Sequence, residues 1–143
     1  MSPRILSYPS LGDSPTLFVN IINPRTGRRQ AFQMLVDTGA SRTCLPGARA
    51  EFLGHDNLDG RVKTTEVSGV GGKSKAFIHT LRLQLLDPEG RIWRKLIPPW
   101  WSEVIPVLFI EKMETQVGIL GRDILAEWKH IGFRPTRKTP HSA

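Results

Sequence analysis

One carboxylate stands out by its setting. The run Phe32 to Val36, apolar except for Gln33, reads as a buried strand. It delivers Asp37 into a turn marked by Gly39. A carboxylate placed directly after buried apolar residues is costly unless it is hydrogen-bonded or shares a proton. The stretch Asp37-Thr38-Gly39-Ala40-Ser41 offers the means to lower that cost. Thr38 and Ser41 carry hydroxyls, and Gly39 lets backbone N–H groups approach closely. A carboxylate held this way can take up and give back a proton. Taken alone, Asp-Thr-Gly is a short string, and an ordinary Asp-Gly turn after a strand would explain it as well.

Two further stretches argue against the ordinary turn. Ser68-Gly69-Val70-Gly71-Gly72-Lys73 puts three glycines into four residues, as at the tip of a β-hairpin. Val117 to Leu125 is an apolar strand that runs through Gly121 into the start of a short helix at Arg122-Asp123. Asp-Thr-Gly-Ala, Gly-Val-Gly-Gly and Ile-Leu-Gly-Arg-Asp, in that order, resemble the retropepsins, the single-lobed aspartic proteases of retroviruses, retroelements and their cellular and bacterial relatives. The motifs run from Val36 to Leu125, about two thirds of the chain. The resemblance implies a mostly β fold: a single-lobed closed β-barrel with a flap hairpin and one short C-terminal helix.

It also implies a division of labour. Peptide hydrolysis by carboxylates needs two of them, one to take a proton from water and one to donate a proton to the carbonyl oxygen. Two carboxylates in contact share a proton and titrate as a pair, for which aspartic proteases are the standard example. This chain has one Asp-Thr-Gly and no Asp-Ser-Gly. Asp13, Asp56, Asp59 and Asp87 fall in polar loops, and Asp123 opens a helix, so no second acid qualifies. The expectation is therefore a C2 homodimer in which Asp37 meets its own copy.

By the same resemblance, Thr38 bonds across the two-fold axis, and Gly39 offers its carbonyl to the substrate backbone. Ala40 stands where pepsins usually carry Ser. The loss of that hydroxyl implies a working pH less acidic than theirs. Val70, Gly71 and Gly72 are the expected flap tip, closing over a peptide held as an extended strand. Arg122 belongs to the support of the site. Many retroviral enzymes pair it with an acid two places after the Gly, where this chain has Ser41, so its partner is open. Arg42 follows, bringing a positive charge near the expected groove. A catalytically silent domain of the same fold, serving dimerisation or peptide binding, is the alternative.

The other chemistry-bearing residues read as structural. Cys44 is the single cysteine, lies in the apolar Thr43-Cys44-Leu45-Pro46, and has no patterned His partner. One cysteine cannot close an intramolecular disulfide, which suits a reducing, intracellular compartment or release from a polyprotein. His79 sits in an apolar row without convergent partners, as a satisfied core or edge histidine would. Trp100 and Trp101 could serve as a ligand platform, though partial burial over a sheet is the commoner use. No zinc-ligand spacing, phosphate loop or cofactor motif occurs. The net charge of +7 raises the question of nucleic acid. Lys129, Arg134, Arg137 and Lys138 follow Glu127 with no acid after them, and the remaining basic residues are scattered singly, which favours a solvated surface over a specific nucleic-acid site. No apolar run approaches the ~20 residues of a membrane-spanning helix.

The elements that must position Asp37 follow from periodicity. Residues 1–143 read as one domain, with 1–15 and 135–143 expected to be flexible. Thr16 to Asn23 and Arg28 to Val36 form a hairpin about the turn Pro24-Arg25-Thr26-Gly27, with Phe32, Met34 and Val36 on one face. Arg61 to Ser68 and Lys73 to Asp87 flank the glycine tip. In the second arm Phe77, His79, Leu81, Leu83 and Leu85 alternate onto one face. Val104 to Ile110 is a strand whose Pro106 suggests a sheet edge. Ile124, Leu125 and Trp128 make a helical stripe, and Ile131-Gly132-Phe133 a last short strand.

Overall fold

The computed structural model describes residues 15–69, 72–92, 99–113 and 117–128. Val70 and Gly71, the short strand expected at Ile131 to Phe133, the basic tail and nearly all of the two terminal segments lie outside these residues. Pro15 is inside them, and its carbonyl accepts from the Val36 N–H at 2.9 Å.

Strands β1 (Thr16–Ile22) and β2 (Arg29–Val36) pair antiparallel, from Thr16 opposite Leu35 to Ile22 opposite Arg29. The turn between them needs Gly27, whose φ of 74° disfavours a side chain. Then come β3 (Cys44–Pro46), two single 3-10 turns over Gly47–Arg49 and Glu51–Leu53, and the strands β4 (Lys63–Gly69) and β5 (Gly72–Leu85). Strands β6 (Ile105–Ile110) and β7 (Gly118–Leu120) follow, and the four-residue helix α1 (Arg122–Leu125) comes after them.

Six strands close on themselves in the order β1-β2-β7-β3-β6-β5, with β5 returning to β1. The length of β5 permits this. Its first half pairs with β4 and β6, while Arg82 to Leu85 reach β1. Strand β4 lies outside the ring, paired to β5 alone, so β4 and β5 make a hairpin that stands off the barrel. Among the described residues the fold is thus mostly β, a closed six-stranded barrel with one short helix, as expected of a single-lobed retropepsin-like domain.

The predicted alternation of β5 holds. Phe77, His79, Leu81, Leu83 and Leu85 are all buried, against Phe32, Met34, Leu45, Val107, Phe109, Leu120 and Ile124 from the other elements. Strand β6 departs from expectation. It is not an edge, because Leu108 to Ile110 pair with β3 while Ala76 to Leu81 of β5 pair on its other side. Strand β3 reaches no further than Leu108, so the missing N–H of Pro106 breaks no ladder with it.

His79 is buried, and it has company. Its ring stacks on His55 with centroids 4.4 Å apart and planes 16° from parallel, and Phe109 meets it edge-on. Asn57 donates its amide to the Gly47 carbonyl, which leaves Asn57 Oδ1 to accept from His79 Nε2 at 2.6 Å. His55 Nε2 lies 3.2 Å from the Thr80 carbonyl and can only donate to it. Both rings therefore carry a proton on Nε2. Burial pushes the His79 imidazole down to about 4, with His55 adding to the effect and Asp56 opposing it. Burial also lowers His55, with the Thr80 carbonyl opposing and Arg25 adding. Between pH 6.5 and 4 the unfolded chain binds the proton that folded His79 refuses, so stability falls as pH drops through that window. The loss should be on the order of 1–2 kcal/mol, less than full linkage because water reaches the pair. Urea unfolding at pH 7, 5.5 and 4 checks this. His79→Gln, which keeps a donor for Asn57, should flatten the slope relative to wild type, and equal slopes would reject the assignment.

Candidate active site

Asp37 leaves the end of β2, and the site is built on how β7 runs beside it. Met34 to Val36 pair in parallel with Gly118 to Leu120, while β3 pairs antiparallel to β7 on its other side at Cys44–Ile119. Strand β7 thus lies between the two strands that the Asp37 loop connects. The loop must cross the end of β7, where Gly121 and α1 emerge, and a series of hydrogen bonds holds it there. Asp37 N–H donates to the Leu120 carbonyl at 3.1 Å, Ala40 N–H to the Asp37 carbonyl at 3.2 Å, and Arg122 N–H to the Ala40 carbonyl at 2.8 Å.

The carboxylate of Asp37 is half-buried, and its Oδ1 accepts from Gly39 N–H at 2.9 Å. A side chain on residue 39 would bring its Cβ to 3.2 Å from that same oxygen, a tight contact that would press on the carboxylate, while the φ of Gly39 is not one that calls for glycine. Among the described residues nothing bonds Asp37 Oδ2. Thr38 and Gly39 are exposed, and Ala40 is half-buried. The loop presents its carboxylate and its small residues outward, at the surface of the chain.

Arg122 finds its partners in the loop itself. Its Nη1 lies 3.1 Å from the Thr38 carbonyl and 3.5 Å from that of Gly39, and Ser41 is exposed. The guanidinium braces the backbone of the turn where an acid might have been expected. A second brace was not legible in the sequence. Thr43 is fully buried, its N–H donates to Asp123 Oδ2 at 3.0 Å, and its hydroxyl donates to Asp123 Oδ1 at 2.7 Å. The same hydroxyl accepts from Gly121 N–H at 3.2 Å. Asp123, which by its sequence position opens the helix, thus also ties α1 to the far limb of the loop. Its place in Gly-Arg-Asp was a visible signal, but Thr43 offered none.

Cys44 is buried, and its thiol contacts the Arg42 carbonyl at 3.4 Å. Burial pushes it up to about 11, with Asp123 adding to the shift, which makes it a poor nucleophile. It joins a small apolar cluster on the outer face, with Ala76 and Leu108, against which Val67, Ile78, Ile110 and Ile119 pack. That cluster links the root of the β4–β5 hairpin to the strands beside the Asp37 loop. Of the hairpin tip, Gly72 is described, and its φ of 96° is one that favours glycine. Trp100 packs on the main core and meets Trp128 edge-on, with centroids 5.4 Å apart. Trp101 lies under the Arg82 guanidinium at 4.9 Å. Both tryptophans are engaged within the fold, and neither meets Asp37.

A sequence profile for the family described as "Aspartyl protease" matches residues 25–124, which contain the Asp37 loop, the hairpin, β7 and the start of α1. No curated protein matches the chain.

Proposed function

The chain belongs to the aspartyl protease family, of retropepsin-like type, and from that premise we propose that it is a homodimeric endopeptidase whose catalytic pair is Asp37 from each of two copies. The family acts on peptide or protein substrates. The observation that carries the finer reading is the half-built site. Asp37 is held on one side by Gly39 N–H, with Thr38 and Gly39 exposed around it. Among the described residues, its nearest counterpart in the loop's bracing, Asp123, is already committed to Thr43. A C2 contact through this loop would bring the two carboxylates together without any further residue.

In that dimer the pair holds one proton between them. The ionised partner draws a proton from the water that lies between them. The protonated partner donates to the carbonyl oxygen as the water oxygen adds to the carbonyl carbon. When the C–N bond then breaks, the proton taken from water passes to the leaving amine nitrogen, and the proton on the former carbonyl oxygen returns to its carboxylate. Gly39 supplies a carbonyl for the substrate backbone, Thr38 and Ala40 line the contact, and Arg122 keeps the turn in shape. The β4–β5 hairpin, with Val70, Gly71 and Gly72 at its tip, closes over the peptide as a flap.

Incubation with an unstructured polypeptide between pH 4 and 7, with and without pepstatin, tests this, with specific activity followed on dilution. Inhibited cleavage whose specific activity falls as dimers dissociate is the expected result. Specific activity that is constant down to concentrations where sizing shows only monomer would overturn the dimeric site. Binding of the polypeptide without cleavage would establish the silent alternative.

A further inference from the structure

We propose that Arg42 is a specificity-determining residue that selects acidic side chains in the substrate. This rests on the endopeptidase reading above. The backbone of Arg42 is held firmly. A Cβ on Gly121 would lie 2.5 Å from the Arg42 carbonyl carbon and 2.9 Å from its nitrogen, so the two main chains are in direct contact. The next residue, Thr43, is tied to Asp123 through both its N–H and its hydroxyl. Arg42 therefore projects from a fixed point on the returning limb of the loop, five residues after Asp37.

Its side chain has no hydrogen bond or ion pair among the described residues, and the residue is half-exposed. Several other cations among the described residues are engaged. Arg61, Lys73 and Arg91 face Asp59, Glu66 and Glu89, Arg82 lies over Trp101, and Arg122 is bonded to the loop carbonyls. Around Arg42 the two acids have other work: Asp123 is bonded to Thr43, and Asp37 is the reacting group. The Cys44 thiol, buried beside the Arg42 carbonyl, contacts it at 3.4 Å and adds a further tie to this stretch of backbone.

A peptide laid across this loop would cover the guanidinium. Covering a charge without a partner is costly, and a substrate carboxylate beside it offsets that cost. A basic side chain in the same place would be repelled, so acceptance and rejection both favour Asp or Glu. Because a C2 dimer contributes Arg42 twice, the preference should appear at two positions, equally spaced on either side of the scissile bond.

The test is cleavage-site profiling on a peptide library, followed by kinetics on a matched pair of peptides with Glu or Gln at the selected position. Wild type should enrich Asp and Glu at a symmetric pair of positions. Arg42→Gln should lower the Glu-over-Gln ratio of kcat/KM about 10-fold, mainly through KM, since the charge pair forms in ground and transition states alike. Arg42→Lys should restore part of the ratio, and Arg42→Glu should turn the profile towards Lys and Arg. Rising salt should shrink the wild-type preference. Cleavage with the same profile in all four proteins would overturn the role of Arg42 and leave the endopeptidase intact. Absence of cleavage of any library peptide by wild type would overturn the endopeptidase reading itself.

Discussion

Peptide hydrolysis by Asp37→Asn is expected to fall by about 10²–10⁴-fold, the range that a positioned acid–base group contributes. The amide has nearly the shape of the acid, and its Oδ1 can still accept from Gly39 N–H as Asp37 does at 2.9 Å. The fold and the dimer contact should therefore survive, and only the proton transfer is lost. The variant should unfold at the same temperature as wild type and run at the same position on sizing. Mixing adds a second readout. With equal amounts of the two proteins assorting at random, only about one quarter of the dimers carry two wild-type copies, and activity should fall to that level. Activity of one half after mixing would mean that each chain works alone. Undiminished activity of Asp37→Asn itself would remove Asp37 from the chemistry.

Gly121→Ala should be the most damaging single methyl in the loop region. Its Cβ would stand 2.5 Å from the Arg42 carbonyl carbon, 2.6 Å from its oxygen and 2.9 Å from its nitrogen. All three are backbone atoms, which cannot swing aside as a side-chain end can. The φ of Gly121 is −95°, an ordinary value, so the cost is one of space. Overpacking of this kind costs ~1–3 kcal/mol, and the backbone contact puts this case near the top of that range. For a domain of this size the melting temperature should fall by roughly 10 °C. Peptidase activity should fall further than stability alone explains, because relief of the clash moves the limb of the loop that carries Arg42 and Thr43. Gly118→Ala is the comparison. There the obstructing atoms are Met34 Sδ at 2.6 Å, Leu45 Cδ2 at 2.8 Å and Met34 Cε at 2.9 Å, all ends of side chains. It should cost less and leave the loop in place. Wild-type melting and activity in Gly121→Ala would show that the contact yields without cost.

Much of this protein is legible in its sequence. Local periodicity carries the information for β1, β2 and β5, because an alternating strand shows its buried face in the identity of every second residue. Phe32 and Met34 in β2, and the row from Phe77 to Leu85 in β5, are such cases. The Asp37 loop and the glycine tip were also visible, since turns that need hydroxyls and glycines advertise them in consecutive residues. Pro106 shows where local reasoning stops. Proline argues for an edge, and only the short reach of β3 explains how it sits in a strand flanked on both sides further along.

The rest was decided by chain segments meeting across long separations in sequence, which neither propensity nor spacing encodes. The position of β7 between β2 and β3 brings residue 121 against residue 42, and that contact is the reason for glycine at 121. It also gives Asp123 to Thr43, 80 residues away, and Arg122 to the carbonyls of Thr38 and Gly39. His79 reads from the sequence as a satisfied core or edge histidine, yet its burial, its stacking on His55 and its bond to Asn57 depend on a polar loop folding back over the barrel. The string Asp37-Thr38-Gly39 and the apolar run before it mark the candidate carboxylate and the strand that delivers it. The tertiary structure alone decided which groups brace that residue, because a buried donor or acceptor must find its partner wherever packing brings one.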